Sequence, residues 1–209
     1  DLYKEEDIDL PRVPLGSVEE DPHSTSLRHG YGADEIDLDE TTIRNARRAY
    51  YGSISDIDDK VADVMNTLQE AGMADNTIII FTGDHGDMLG ERGMWFKMSY
   101  FEHSARIPLI IHAPSMFSPC RVAEAVSLVD ILPTLVELSQ DGKPGDYATP
   151  IEGRSLVPHM SAGGGHDEVI GEYFAEGGDM PVFMIRRGQK KIIASNGRPA
   201  QYYDLANDP

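Results

Sequence analysis

The sequence predicts an α/β fold, and three features of the 209-residue chain carry that prediction. Apolar residues at 43, 46, 50, 54, 57, 61, 64, 68 and 71 recur in steps of three and four, which is one stripe along a helix. Two β-branched runs, at 78–82 and 107–111, are apolar without alternation, as in parallel-sheet strands covered on both faces. Past Gly163-Gly164-Gly165, four short segments separated by turn residues predict a small antiparallel sheet of hairpins.

In chain order, residues 1–38 carry Pro11, Pro14, Pro22 and several glycines without a sustained period, which predicts an extended, surface-hugging loop. Asp39-Glu40-Thr41-Thr42 is a helix-start signal, and Gly72 supplies the stop for a helix of about thirty residues. Asn76-Thr77 turns the chain into the first strand, and 107–111 is the second. Residues 126–129 read as a third strand leading into a helix around 130–138, with Pro133 tolerated in its first turn. The hairpin segments are 169–174, 182–186, 190–194 and 201–205, with Gly188 and Asn196-Gly197 between them. The triple glycine precedes no Gly-Lys-Ser/Thr and opens no helix, so it reads as a linker and not as a phosphate loop.

Charge narrows the partners. The formal net charge is −18, and residues 1–40 hold thirteen Asp/Glu against three Lys/Arg, which is −10 of it. Such a field argues against nucleic acid and opposes an anionic substrate, so any sulfate or phosphate site needs local cations. It suits a substrate with a cationic end. No stretch reaches the roughly 18 apolar residues of a membrane span, so no membrane partner is expected. The first residues, Asp-Leu-Tyr-Lys-Glu-Glu-Asp, form no signal peptide, and both ends are abrupt, so a fragment of a longer protein is expected. The single Cys120 excludes an internal disulfide and leans towards a reducing compartment, the cytoplasm.

The chemistry concentrates in Thr82-Gly83-Asp84-His85-Gly86-Asp87, just after the first strand, where open α/β sheets bind ligands. A carboxylate beside an imidazole offers a hard oxygen and a borderline nitrogen to one divalent ion, fitting Mn, Mg, Ca or Zn. Gly83 and Gly86 let the backbone turn sharply and approach a ligand closely. The alternative is that Asp84 caps a turn and His85 is a loop residue; the buried strand before the pair and the flanking glycines favour the metal. Two ligands make only half a site, and nothing else in the chain shows ligand spacing. His23, His29, His112, His159 and His166 read as ordinary surface or core histidines, and Cys120 as a loop thiol. Lys97, thirteen residues past Asp84 in a Gly-hinged loop, is either a solvated lysine or the positioned cation that a sulfuryl oxygen or leaving group needs.

Phe81-Thr82-Gly83-Asp84-His85-Gly86-Asp87-Met88-Leu89-Gly90-Glu91-Arg92-Gly93, followed by Trp95-Phe96-Lys97-Met98-Ser99-Tyr100-Phe101-Glu102-His103-Ser104-Ala105-Arg106-Ile107-Pro108-Leu109, resembles the sulfatase family of the alkaline phosphatase superfamily, and within it the choline-sulfatases. Arg47–Gly52, Asp58–Val61, Leu128–Leu135 and Tyr203–Pro209 extend the resemblance over nearly the whole chain. It implies an alkaline-phosphatase-like sandwich with a mostly parallel central sheet plus the small C-terminal antiparallel sheet. Residues 1–160 are then the C-terminal portion of the catalytic domain and 161–209 the C-terminal subdomain. It further implies that Asp84 and His85 bind one divalent ion (Ca, Mn or Mg) and that Lys97 is the catalytic residue touching the substrate's sulfate. Glu172 or Glu176 would face a quaternary ammonium end, a choice the residues leave open. The Cys-x-Pro-Ser/Ala-x-Arg segment, whose Cys or Ser becomes the formylglycine nucleophile, is absent, as are the early Asp ligands and the general-acid His. The resemblance therefore makes this chain inactive by itself and part of a sulfuric-ester hydrolase, expected as a homo-oligomer. A phosphonate monoester or phosphodiester hydrolase shares the pattern, and a non-catalytic domain that binds a partner through its acidic surface is the remaining alternative.

Overall fold

The computed structural model describes residues 2–140, 143–161, 164–174 and 178–207. They fall into two compact units, residues 1–112 with 174–180, and residues 113–173 with 181–209.

In the first unit the long amphipathic stripe becomes α2 (Glu40–Glu70), preceded by α1 (Pro22–Gly30). Asp39 caps α2 by accepting the Thr42 N–H at 2.8 Å, and Gly72 leaves the helix at φ +66°. Thirty-one residues give a rod of about 46 Å. Its stripe is only partly covered: Ile54 and Val64 are 50% and 57% exposed, while Arg47 is the helix's one buried residue.

Residues 8–20 run without helix or strand, as expected, but 22–30 do not. There Asp21 accepts the N–H groups of His23 and Ser24, and Pro22 takes the first helical position, where its missing donor costs nothing. This short helix carries one core-facing apolar residue, Leu27, so no periodicity announces it.

Strands β1 (Ile79–Thr82) and β2 (Leu109–His112) are the two predicted apolar runs, and they pair with each other. Their pairing is antiparallel, with Ile79 opposite His112 and Thr82 opposite Leu109, which corrects the expected parallel geometry for this pair. A parallel return needs a crossover of a dozen or more residues, usually a helix. Residues 83–108 offer only a 3-10 turn at Glu91–Gly93 and the single-turn α3 (Glu102–Ala105), so the chain simply reverses.

In the second unit the expected strand at 126–129 is absent. The Ser127 N–H donates to Asp130 at 2.8 Å, closing a 3-10 turn (Leu128–Asp130) into α4 (Ile131–Ser139), with Pro133 buried in its first turn. The α5 turn (Val157–Met160) follows. The tail forms the predicted hairpins: β3 (Glu168–Tyr173), β4 (Val182–Arg187), β5 (Lys190–Ser195) and β6 (Gln201–Asp204), antiparallel in that order. Gly188 and Gly197 take the left-handed turn positions, φ +55° and +73°. Val182, Met184 and Ile193 are buried from this sheet.

Candidate active site

Thr82 closes β1, and its Oγ1 donates to the Pro108 carbonyl at 2.8 Å, pinning the strand end. Asp84 and His85 follow immediately, with the Asp84 side chain 84% exposed. Asp84 Oδ1 accepts the His85 N–H at 3.0 Å. His85 Nδ1 lies 2.8 Å from the Gly86 carbonyl, which can only accept, so that contact assigns the proton to Nδ1. The other ring nitrogen, Nε2, lies 3.2 Å from Asp84 Oδ2. Two lone-pair donors that close repel each other unless a proton or a metal cation lies between them. A backbone carbonyl orienting the far nitrogen is also how metal-bound histidines are held. The donor chemistry therefore fits a divalent ion as two of its ligands. Among the described residues, no group of three or more His, Cys, Asp or Glu is placed to hold one.

Gly86 meets a close approach, but to the chain's own backbone and not to a ligand. A Cβ there would lie 2.0 Å from the His103 carbonyl oxygen, and the Gly86 N–H donates to the Ser104 carbonyl at 2.7 Å. Gly83 has room for a side chain, its nearest neighbour being 3.5 Å away. Asp87 caps the next turn, accepting the Leu89 N–H at 3.1 Å, where Leu89 is held at φ +47°. A second strained residue, Arg92 at φ +56°, lies three positions on. Non-glycine residues in this region concentrate at functional loops. Burial, then the charge of Asp87, pushes the Tyr50 hydroxyl above its ordinary range.

Lys97 is exposed, in the same unit as Asp84 and His85. Its carbonyl accepts the Ser104 hydroxyl at 2.6 Å and the Ser99 N–H, and His23 Nε2 sits 2.7 Å from the neighbouring Met98 carbonyl. The Phe96 ring packs on Tyr31 with centroids 4.8 Å apart. The shallow depression beside this loop is lined by Leu27, Met94, Trp95 and Met98 but also by Arg28 and Lys97, a pair of cations that disfavours a quaternary ammonium there. Glu172 stands exposed on β3, opposite Phe183, in the other unit. Glu176 lies outside the described residues.

Several supporting residues have no sequence signal. Glu91 is 2% exposed, and its two oxygens accept the Arg12 and Val13 N–H groups at 2.9 Å each. Arg47 Nη1 and His103 Nε2 lie 3.9 and 3.8 Å from it. Arg47 also bonds Asp9 at 2.6 Å and the Leu89 carbonyl at 2.8 Å, so residues 9–13 are strapped between α2 and the Leu89–Glu91 turn. In the second unit, the buried His159 and the partly buried His166 meet edge to face with ring centroids 5.0 Å apart, and His166 contacts the buried Asp130 at 3.1 Å.

Asp9 carries a pH dependence. Burial works to raise its carboxyl, but the Tyr51 hydrogen bond and the Arg47 charge outweigh it and hold the group below the usual range. A depressed carboxylate stabilises the fold fully above its unfolded value, about 4, and that contribution is lost as pH falls through the lower folded value. In the full-length protein, Asp9→Asn should lower the urea midpoint at pH 7 and flatten its fall between about pH 4 and 2. An unchanged acid limb in the variant would remove Asp9 from this role.

The comparisons agree with this architecture. The sulfatase family profile matches residues 15–141. A choline-sulfatase from Rhizobium meliloti (strain 1021) is 39% identical over 213 aligned residues, covering all of this chain and 41% of its own length. Arylsulfatase K of Danio rerio is 34% identical over 178 residues, covering 81% of this chain and 33% of itself. The phosphonate monoester hydrolase of Silicibacter pomeroyi superposes with a TM-score of 0.77 at 23% identity, over 99% of this chain and 46% of that one. The chain thus spans less than half the length of these relatives. With the profile covering more than half of it, and with an α/β fold of alkaline-phosphatase type, the chain belongs to the sulfatase family.

Proposed function

We propose that this chain is part of a metal-dependent sulfuric-ester hydrolase whose substrate is choline sulfate, giving choline and sulfate. The observation that supports the site is the approach of His85 Nε2 to Asp84 Oδ2, 3.2 Å apart just beyond β1, a pair that one divalent cation would bridge. Family membership and the 39% identity to a choline-sulfatase support the reaction class and the substrate. Asp84 and His85 would hold one ion (Ca, Mn or Mg), which when bound supplies Lewis acidity towards the sulfuryl oxygens. Lys97 would set its ammonium against the sulfate from a backbone point anchored by Ser104. Glu172 or Glu176 is the candidate partner of the trimethylammonium end, for which a carboxylate is the matching charge. The formylglycine nucleophile and the remaining metal ligands would belong to the part of the protein outside this chain, which alone would be inactive. The lone cysteine, Cys120, is what supports a cytoplasmic setting.

The competing reading, hydrolysis of a phosphonate monoester or phosphodiester, draws on the likeness to the Silicibacter pomeroyi enzyme, which extends to fold only. Competing turnover of choline sulfate and an aryl phosphonate by the full-length protein separates the two. A preference for choline sulfate of roughly a hundredfold or more is expected, and the reverse preference overturns the reading. In the same protein, Lys97→Ala should cut turnover by about 10²–10³ with metal content intact, the scale for losing one positioned oxyanion partner. Metal lost together with turnover would remove Lys97 from the sulfate.

A further inference from the structure

Three segments of the site meet at one buried residue. Ser104, in α3, is 4% exposed. Its carbonyl accepts the Gly86 N–H at 2.7 Å, directly after the Asp84-His85 pair. Its hydroxyl donates to the Lys97 carbonyl at 2.6 Å. Its own N–H donates to the Phe101 carbonyl at 3.0 Å, so Ser104 is itself held by its helical turn. The backbones approach so closely here that a side chain at Gly86 would meet the His103 carbonyl oxygen at 2.0 Å.

We infer that Ser104 is a positioning residue that sets the Lys97 backbone at a fixed offset from the Asp84-His85 pair. The two links differ chemically. The one to Gly86 runs through the Ser104 backbone and survives substitution, whereas the one to Lys97 runs through the hydroxyl and does not. Loss of the hydroxyl therefore removes one of the ties on the Lys97 backbone and leaves the link to Gly86 in place. Buried serine hydroxyls usually bond backbone simply to satisfy themselves. Here the acceptor is the carbonyl of the residue proposed to touch sulfate, in a loop also held by the Met88 N–H on the Phe96 carbonyl at 3.0 Å and by His23 on the Met98 carbonyl. An ångström of misplacement in a positioned group costs up to about 10²-fold in rate, so a single hydrogen bond matters at this point.

The inference rests on the proposed role of Lys97, and a double-mutant cycle separates the two. In the full-length protein, kcat/KM for choline sulfate and bound metal are measured for wild type, Ser104→Ala, Lys97→Ala and the double variant. Ser104→Ala is expected to lose about 10- to 100-fold in kcat/KM with metal content unchanged. Ser104→Thr, which keeps the hydroxyl, should recover most of that loss. Adding Ser104→Ala to Lys97→Ala should cost less than about threefold further, because the residue acts through the lysine. Losses that multiply in the double variant, or a Ser104→Ala enzyme within twofold of wild type, overturn the inference while leaving Lys97 in its role. A Lys97→Ala enzyme with wild-type activity overturns both. Should Ser104→Ala fail to fold, Ser104→Cys carries the same comparison, keeping the volume and replacing the hydroxyl with a weak donor.

Discussion

Asp84→Ala in the full-length protein should abolish metal binding and turnover together. The variant removes the carboxylate oxygen facing His85 Nε2 and leaves the imidazole as the one remaining donor of the pair. The Asp84 side chain is 84% exposed, and the hydrogen bond it accepts is the short-range one from the next residue's N–H. Folding should therefore be untouched, with the unfolding midpoint of the metal-free protein unchanged. Lewis-acid assistance is worth several kcal/mol, so a rate loss of about 10³ or more is expected. Metal analysis of the purified variant is the deciding measurement. If it retains wild-type stoichiometry, Asp84 is a turn cap and the half-site assignment is wrong. Asp84→Asn keeps the volume and the backbone contact, and it should show the same metal loss if the charge is what matters.

The largest effect on stability is expected from Glu91→Ala. Its carboxylate is 2% exposed and receives two backbone N–H groups, from Arg12 and Val13. Arg47, 4% exposed, is a close cation at 3.9 Å. Deleting one member of a buried ionic group costs about 3–5 kcal/mol when the other is left uncompensated. Arg47 keeps Asp9 and the Leu89 carbonyl, which moderates the loss to about 3 kcal/mol. Urea unfolding measures the total, and proteolysis near residues 9–15 reports whether the strap has come loose. Glu91→Gln keeps one acceptor and should lose less. A Glu91→Ala change below about 1 kcal/mol would mean that the strap is held by its apolar contacts, among them the buried Ile8.

These two residues also mark how far the sequence can be read. Asp84 is legible as a candidate because a carboxylate beside an imidazole, after a continuous apolar run and between glycines, is a local property of 78–87. Glu91 sits in the same stretch and reads as another surface acid. Its partners are 78 and 79 residues away in the chain, so no spacing rule connects them. Ser104 is hidden for a related reason: a lone serine becomes informative only once Gly86 and Lys97 are seen on either side of it. Gly86 is expected to let the backbone approach a ligand, but what it approaches in the structure is the His103 carbonyl.

By itself the sequence determined what depends on short-range order. The 3.6-residue period and Asp39 cap specified α2, short segments separated by Gly188 and Gly197 specified the C-terminal hairpins, and a run of contiguous residues specified the family and proposed the metal half-site. The tertiary structure alone decided the rest. It set the antiparallel pairing of β1 with β2, because pairing direction depends on whether 83–108 forms a crossover helix. It made a helix of 22–30 and a turn of 126–130, where capping hydrogen bonds outweighed the apolar pattern. It also brought Glu91, Arg47 and Ser104 to the loops they hold, since a buried polar group is satisfied by whatever the fold brings within about 3 Å of it.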